Sequence, residues 1–205
     1  MEQIKLTIYS DYVCPWCYVG QGVVEELIKD HNVKVDWRPF YLHPDTPVEG
    51  MELPDYIKNR VAQTNAFLKE RANSYGMDMV FSTRIPNTRL AHEATEYARR
   101  HGKEMEFHRN VFDKFYGRGQ DISKWDVLRA AADEVGLNGE EMQSWVEAGT
   151  YTAIVQSEVD QAHDIGVTGV PTYVLNDHYA IVGAQPYDVF LQALEEIKSE
   201  ASSIA

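Results

Sequence analysis

The two cysteines of this 205-residue chain lie in one short motif, Cys14–Cys17 (Cys-Pro-Trp-Cys), between a strand pattern and a helix pattern. Residues 4–9 alternate apolar and polar side chains, and apolar residues recur at helical spacing from 19 to 28. At a helix N-terminus, unpaired N–H groups and the positive end of the helix dipole favour a cysteine thiolate. A thiolate attacks disulfides, and a second nearby cysteine resolves the mixed disulfide. The motif therefore predicts a dithiol–disulfide exchange centre at a β–α junction.

The residues after the motif predict a mixed α/β chain with a long helical stretch. A second strand is expected at Val33–Trp37, and residues 39–53 form a loop rich in proline. Residues 54–166 are predicted to be entirely helical, because several apolar helical faces each end at a glycine. The aromatic residues of this stretch are expected to form its core, with an apolar substrate groove as the alternative: Phe67, Tyr75, Phe81, Phe107, Phe112, Phe115 and Tyr116.

The C-terminal part returns to strands. Thr172–Leu175 and Tyr179–Val182 are predicted strands joined by a short turn, and a helix begins at Pro186. The tail at 199–205 is predicted to fray. The predicted order is therefore β-α-β, a block of helices, and then α-β-β-α.

Polar residues mark three candidate helix starts. Asn87 is predicted to cap one helix, and Asn138 with Glu141 begins another. Ser123 with Asp126 has the spacing of a capping box for a third.

Charge and hydropathy exclude several classes of function. The net charge is −13, which is unfavourable for binding nucleic acid or an anionic membrane surface. No apolar run approaches the roughly 18–20 residues of a membrane span, and no apolar signal segment precedes the first strand. We therefore expect a cytoplasmic protein with no nucleic-acid or membrane partner. In a reducing compartment, a lone Cys-x-x-Cys is more often catalytic or metal-binding than structural.

The order of elements, with the cysteine motif after the first strand and Gly-Val-Pro-Thr at residues 169–172, resembles the thioredoxin fold. The helical block resembles that of the DsbA family. Segments 10–17, 87–92 and 166–172 are similar to its cytosolic FrnE-like branch. The resemblance implies an α/β, thioredoxin-like fold with a large all-helical insertion. It implies a thioredoxin-like domain at 1–42 and 150–205, with the insertion at 43–149.

The resemblance also implies the roles of the central residues. Cys14 would be the exposed nucleophile and Cys17 the resolving thiol. A cis bond between Val170 and Pro171 would pack against the two sulfurs, which places Pro171 in the catalytic set.

Substrate-binding roles are expected for Pro15, Trp16 and Val170, and also for Asn87 and His92. For Trp16, packing onto the inserted helices is the alternative to substrate contact. For Asn87 a helix cap is the simpler interpretation. For His92 a satisfied, partly buried side chain is the simpler interpretation.

Asp11 is a predicted modulating residue. It lies three positions before Cys14, and its charge opposes thiolate formation if the two groups meet. Related enzymes often carry an acid in the first strand where this chain has Ile8. The redox poise, and hence the direction of exchange, is left open.

Two other interpretations of the cysteine pair are less favourable. Structural zinc normally takes four Cys or His ligands. This chain has no second cysteine pair, and its seven histidines do not occur at the paired spacing of zinc ligands. No metal is therefore expected. A purely structural disulfide would close only a four-residue loop and remove little chain entropy.

Three functions compete at this point. The leading one is a thiol–disulfide oxidoreductase or isomerase that acts on thiol- or disulfide-containing proteins or small thiols, with no cofactor beyond the Cys14–Cys17 pair and with glutathione as a candidate co-substrate. The alternative is a glutathione-dependent small-molecule isomerase or transferase, similar to hydroxychromene-carboxylate isomerase or the kappa class; such relatives typically lack a second active-site cysteine. The third is a binding or chaperone-like protein with vestigial thiols. The natural substrate and the oligomeric state are left open.

Overall fold

A computed structural model describes residues 3–204 of the chain, and the side chains of residues 3–199. The central sheet contains four strands: β1 (Ile4–Ser10), β2 (Val33–Pro39), β5 (Thr172–Leu175) and β6 (Tyr179–Val182). Two further strands are only two residues long: β3 (Met51–Glu52) and β4 (Arg84–Ile85). The helices are α1 (Pro15–Asp30), α2 (Asp55–Ser74), α3 (Arg89–Arg100), α4 (Glu104–Phe112), α5 (Trp125–Glu134), α6 (Gly139–Glu147), α7 (Thr152–Asp164) and α8 (Tyr187–Ile204).

The central sheet has the strand order β2-β1-β5-β6. β1 is parallel to β2 and antiparallel to β5, so Leu6 lies between Val35 and Leu175. β5 and β6 form a hairpin whose turn residues, Asn176 and Asp177, have positive φ of 49° and 59°. Asn and Asp tolerate this conformation, which matches the twist of a tight hairpin. The predicted hairpin is confirmed, and so is the predicted order of the four strands of the central sheet along the chain.

Two hydrophobic cores meet at α1. The sheet core joins strands β1, β2, β5 and β6 to the rear of α1 and to α8, and includes Leu6, Leu27 and Phe190. The helical core joins α2–α7 to the front of α1, and it includes both cysteines and Leu68. The first turn of α1 therefore belongs to the helical layer, although β1 positions it.

Two glycines let neighbouring elements approach α1 closely. A Cβ at Gly20 would lie 2.3 Å from the Tyr173 hydroxyl, and a Cβ at Gly22 would lie 2.1 Å from the Tyr75 ring. Tyr173 belongs to β5, and Tyr75 follows the last residue of α2. Glycine at these positions brings both the sheet and the helical block against the same helix.

The prediction that the stretch 54–166 contains helices alone is wrong at one place. Arg84–Ile85 is a strand, β4, which pairs antiparallel with β3 from the predicted loop 39–53. A two-residue strand is too short to show alternation in sequence, so only the long-range pairing reveals it. A π-helical turn, Asp113–Gly117, directly extends α4.

The capping predictions have mixed outcomes. Asn138 caps α6 and accepts a hydrogen bond from the N–H of Glu141, as predicted. Ser123 is not a cap: Lys124 holds the N-cap of α5, and the Ser123 hydroxyl donates to Asp121 instead. A local hydrogen bond within the loop competes with capping at this serine.

The predicted frayed tail is helical as far as α8 continues, to Ile204, and Ala205 and the side chains of 200–205 lie outside the described residues. Within the described part of the chain, no helix combines the length and apolar character that a membrane crossing requires. The predicted domain boundaries stay predictions.

Candidate active site

Cys14 occupies the N-cap of α1, where the chain turns from extended to helical backbone. Its φ and ψ are −89° and 112°, and Pro15 is the first helical residue. The Cys14 carbonyl accepts hydrogen bonds from the N–H groups of Cys17 and Tyr18, which closes the first turn. Pro15 suits this position because its missing N–H has no helical partner there. Both cysteines are free thiols.

The loop before β5 meets the motif. The Cys14 thiol donates to the Val170 carbonyl oxygen at 3.3 Å, and the Val170–Pro171 peptide bond is cis. Pro171 is buried, and its carbonyl accepts from the N–H of Gly183 at 2.8 Å. Residues separated by more than 150 positions in sequence are thus brought together.

The expectation of an exposed nucleophile is wrong. Cys14 is only 2% exposed and Cys17 is 1% exposed. The reason is that the helical block folds over the motif, so that both sulfurs belong to its core. Cys14 nevertheless lines a cavity, whereas Cys17 does not form part of the cavity wall. The two thiols therefore differ in access.

Burial raises the pKa of the Cys17 thiol well above its ordinary value, and the adjacent Cys14 acts in the same direction. The backbone of Asp11 and the hydroxyl of Ser10 act in the opposite direction on this pKa. Ser10 is 2% exposed, with its hydroxyl near the Cys17 thiol. We did not single out Ser10 from the sequence. The available signal was a polar residue on the inward, apolar face of β1, two residues after Ile8.

Asp11 is buried directly behind the motif, at 1% exposure. Its carboxylate accepts a hydrogen bond from the N–H of Leu42 at 2.7 Å and lies 3.3 Å from the His92 ring nitrogen Nε2. Its backbone oxygen accepts from the N–H of Cys14 at 3.0 Å. Asp11 therefore fixes the motif to the loop after β2 and to α3.

Neither Asn87 nor His92 forms part of the cavity wall that contains Cys14. The Asn87 side chain donates to the Thr46 carbonyl at 2.7 Å and accepts from the N–H of Arg89. His92 is 6% exposed and packs against the rings of Tyr12 and Tyr41. Both side chains hold the scaffold around the motif.

The cavity has a volume of about 320 Å³ and begins at the motif. One side is formed by the motif and the loop before β5, through Val13, Cys14, Pro15, Trp16, Gly169 and Val170. The opposite side is Leu53, two residues before α2, and one face of α2 with the spacing of helical neighbours: Tyr56, Ile57, Arg60, Val61 and Thr64. The predicted contact residues Pro15, Trp16 and Val170 thus line one site.

The rear of the cavity is formed by the π-helical turn and by the segment around β4. Its residues are Phe81, Ser82, Arg84, Ile85, Phe115 and Tyr116, and Leu42 and His43 complete the wall. Among the aromatic residues of the helical block, Phe107 and Phe112 lie in the core alone, Phe115 and Tyr116 belong to the core and also line the cavity, and the half-buried Phe81 lines the cavity. Phe67 is half exposed, and its ring lies 6.0 Å from that of Trp16. Trp16 therefore packs onto α2 and also lines the cavity, and its contact with substrate stays a prediction.

The α2 face, Leu42 and His43 were not predicted as site residues. Their sequence signal is weak, because an amphipathic helix has the same pattern over a cavity as over a core. In the described part of the chain, no group of three Cys, His, Asp or Glu residues is arranged to hold a metal ion.

Comparison with known proteins identifies relatives along nearly the whole chain. The uncharacterized protein YwbO of Bacillus subtilis (strain 168) is 34% identical over 196 residues, which cover 94% of this chain and 96% of that protein. The crystal structure of a probable DsbA oxidoreductase from Streptomyces coelicolor superposes with a TM-score of 0.88 at 25% identity, over 97% of this chain and 91% of that one.

A more distant relative is the 2-hydroxychromene-2-carboxylate isomerase of Sphingobium xenophagum, which is 21% identical over 178 residues, or 84% of this chain and 89% of that protein. The family model of the DSBA-like thioredoxin domain matches residues 5–195. The α/β fold, the helical block within it and these matches agree with one another. The chain belongs to the family of DSBA-like thioredoxin domains.

Proposed function

We propose that this protein is a thiol–disulfide oxidoreductase that exchanges disulfides through Cys14 as nucleophile and Cys17 as resolving thiol. The observation that carries the proposal is the difference in access between the two thiols. Cys14 lies at the N-terminus of α1, contacts Val170 and opens to a cavity, while Cys17 is sealed beneath it. Membership of the DSBA-like family supports thiol or disulfide substrates.

In the reducing direction, the Cys14 thiolate attacks one sulfur of a substrate disulfide. The substrate S–S bond breaks, one substrate thiolate leaves, and a mixed disulfide with Cys14 forms. Cys17 then loses its proton and attacks the Cys14 sulfur, which releases the second substrate thiol. The substrate gains two electrons and the Cys14–Cys17 pair becomes a disulfide. The same steps in reverse oxidise a substrate dithiol, and a further exchange would isomerise a disulfide.

The environment of Cys17 supports an ordered sequence of these steps. Burial raises the pKa of Cys17, so this thiol stays protonated while Cys14 is free to attack. The adjacent Cys14 also raises the Cys17 pKa. Conversion of Cys14 to a mixed disulfide removes its negative charge, and the pKa of Cys17 falls at the stage where its thiolate is needed.

The test is reduction of insulin with dithiothreitol, run with the wild type, Cys14→Ser and Cys17→Ser. We expect Cys14→Ser to abolish catalysis, since no other thiol lines the cavity. We expect Cys17→Ser to stop turnover and to accumulate a mixed disulfide on Cys14, visible by mass spectrometry. Equilibration of the wild type with glutathione buffers should give a reversible Cys14–Cys17 disulfide. Failure to form that disulfide in any buffer would remove the basis of the proposal.

The match to 2-hydroxychromene-2-carboxylate isomerase favours a second candidate, a glutathione-dependent isomerase or transferase that acts on a small molecule. In that case glutathione is a co-substrate rather than a redox partner. Cys17 weighs against this candidate, because isomerisation has no need for a resolving thiol. Saturable turnover of an aromatic isomerisation substrate, at equal rates in wild type and Cys17→Ser, would reverse the ranking.

The cytoplasmic location, the FrnE-like branch and protein or small-thiol partners belong to the same proposal. A test is redox-state trapping in cells: a cytoplasmic reductase keeps Cys14 and Cys17 largely reduced at steady state, whereas an exported oxidase keeps them largely oxidised.

A further inference from the structure

The charge of the cavity wall is opposite to the charge of the chain. The chain contains 32 acidic and 19 basic residues. The cavity that contains Cys14 is nevertheless lined by Arg60 and Arg84, and none of its lining residues is Asp or Glu. The cavity wall of this acidic protein therefore contains no carboxylate side chain.

Arg60 is the unpaired cation of this wall. Arg84 pairs with Glu52 across the β3–β4 pair and donates to the Glu49 carbonyl. The guanidinium of Arg60 makes no ion pair and no hydrogen bond with any residue in the described part of the chain. It projects from the α2 face that also carries Ile57 and Val61, so a positive charge lies beside apolar wall.

The depth of Cys14 restricts the size of its partner. The residue is 2% exposed at one side of a cavity of about 320 Å³, which is near the lower limit for small-molecule sites. A small disulfide fits within a cavity of this volume.

We propose that the cavity selects small disulfides that carry a carboxylate next to an apolar, ring-sized group, with Arg60 as the residue that determines this specificity. The carboxylate binds the Arg60 guanidinium, and the apolar group packs between Ile57 on α2 and Tyr116 behind it. This inference rests on the proposed exchange function. The Cys14 thiolate forms the mixed disulfide, the substrate S–S bond breaks, and the distal thiolate leaves with the electron pair of that bond.

Two aromatic disulfides, one anionic and one neutral, test the inference through the change in each rate between variants. Dithiobis(nitrobenzoate) carries two carboxylates, and dithiodipyridine is neutral. Both release a coloured product, so stopped-flow absorbance gives the rate of the first step. The Cys17→Ser background leaves Cys14 as the single thiol. Each rate is divided by that of the amide of N-acetylcysteine, which removes the intrinsic reactivity of each probe.

We expect the normalised rate to favour the dianion. Arg60→Gln should lower the anion-to-neutral ratio by about two- to fivefold, the range of one partly exposed ion pair. Arg60→Lys should restore most of it. Lys58→Gln is the matched control: it removes the same charge from the same helix, but it lies roughly 200° around α2, outside the cavity wall. It should leave the ratio unchanged.

Ionic strength gives an independent reading. The net charge of −13 repels a dianion, so salt accelerates its reaction if the overall field dominates. If Arg60 dominates, salt slows the dianion and leaves the neutral probe unaffected.

Equal ratios in wild type, Arg60→Gln and Lys58→Gln overturn the inference and leave the exchange function intact, because the neutral probe still reports a reactive Cys14. A rate that rises with salt for the dianion alone also overturns it. Failure of Cys14 to react with either probe overturns the proposed function together with the inference.

Discussion

The helical core and the sheet core of this protein are equally well buried, but only the helical core contains the cysteines. The sheet core takes the rear of α1 through Val23, Val24 and Leu27. The helical core takes the front, including Cys14 and Cys17. The sheet therefore places the motif at the end of β1, whereas the inserted helices determine how much of it a substrate reaches.

The two regions are also joined by a polar contact. Arg99 of α3 donates to the Trp37 carbonyl of β2 and to the carboxylates of Glu96, Glu104 and Glu158. Burial, opposed by Arg99 and reinforced by Glu158 and Glu104, raises the pKa of Glu96 to about 7. We expect substitutions at the apolar junction at α1 to change the free energy of unfolding, and substitutions at this charged junction to change its pH dependence. The following variants test this difference.

The largest effect is expected from truncation of one leucine in each core. Leu68 is the principal buried side chain of α2, which covers the cavity, and Leu27 is its counterpart in the sheet core; both are essentially unexposed. Leu68→Ala and Leu27→Ala should each lower the free energy of unfolding by about 2–5 kcal/mol, through lost burial and the cavity left behind. Urea unfolding measures this loss.

The two leucine variants should differ in how fast the Cys14 thiol is alkylated. Leu68→Ala should also accelerate alkylation of Cys14 by iodoacetamide in native buffer, because α2 loses its anchor. Leu27→Ala should raise the rate of Cys14 alkylation only through the larger population of globally unfolded molecules. Equal alkylation of the two variants at equal free energy of unfolding would show that α2 does not control access to Cys14.

An intermediate effect is expected at the apolar junction. Gly22→Ala places a Cβ 2.1 Å from Cγ of the Tyr75 ring. We therefore expect overpacking to lower the free energy of unfolding by about 1–3 kcal/mol, measured by urea unfolding. In a Tyr75→Ala background the same substitution should stabilise the protein by about 0.5–1 kcal/mol, because alanine is the better helix former. A stabilising Gly22→Ala in the wild-type background would contradict the close approach of α2 to α1.

The smallest effect is expected at the charged junction. The pKa of Glu96 in the folded protein, about 7, lies above its ordinary value of 4.5, so the folded state binds this proton more tightly. The stabilisation is fully present below about pH 4.5 and is lost as the pH rises through 7. Between pH 5 and pH 7 the wild type should therefore lose stability relative to Glu96→Gln, measured by urea unfolding at each pH.

Glu106→Gln is the control for this pH dependence. Its own backbone and Lys103 lower the pKa of the exposed Glu106, so this carboxylate contributes stability that is lost as the pH falls. A pH profile of Glu96→Gln parallel to that of the wild type would mean that the charged junction does not titrate near neutrality.

Features that depend on neighbouring residues were predicted from the sequence, whereas features that depend on contacts between distant residues were not. β1, α1 and the β5–β6 hairpin were predicted because alternation, helical spacing and turn residues are local signals. The contact of Cys14 with Val170 was available only through resemblance to a family, since it joins residues 156 positions apart. Arg84–Ile85 was missed because a two-residue strand is defined by its partner alone.

The sequence by itself determined where the reactive pair lies, at a β–α junction with Pro15 starting the helix, because strand and helix periodicity and the geometry of a helix N-terminus are properties of neighbouring residues. Only the tertiary structure decided that Cys14 is buried, that Arg60 and Tyr116 share a cavity with it, and that Asp11 is tied to Leu42 and His92. Those facts depend on how α2 and the later helices pack over the motif. Hydrophobic burial drives that packing, but it is non-directional, so the sequence pattern of an apolar face does not specify which surface it covers.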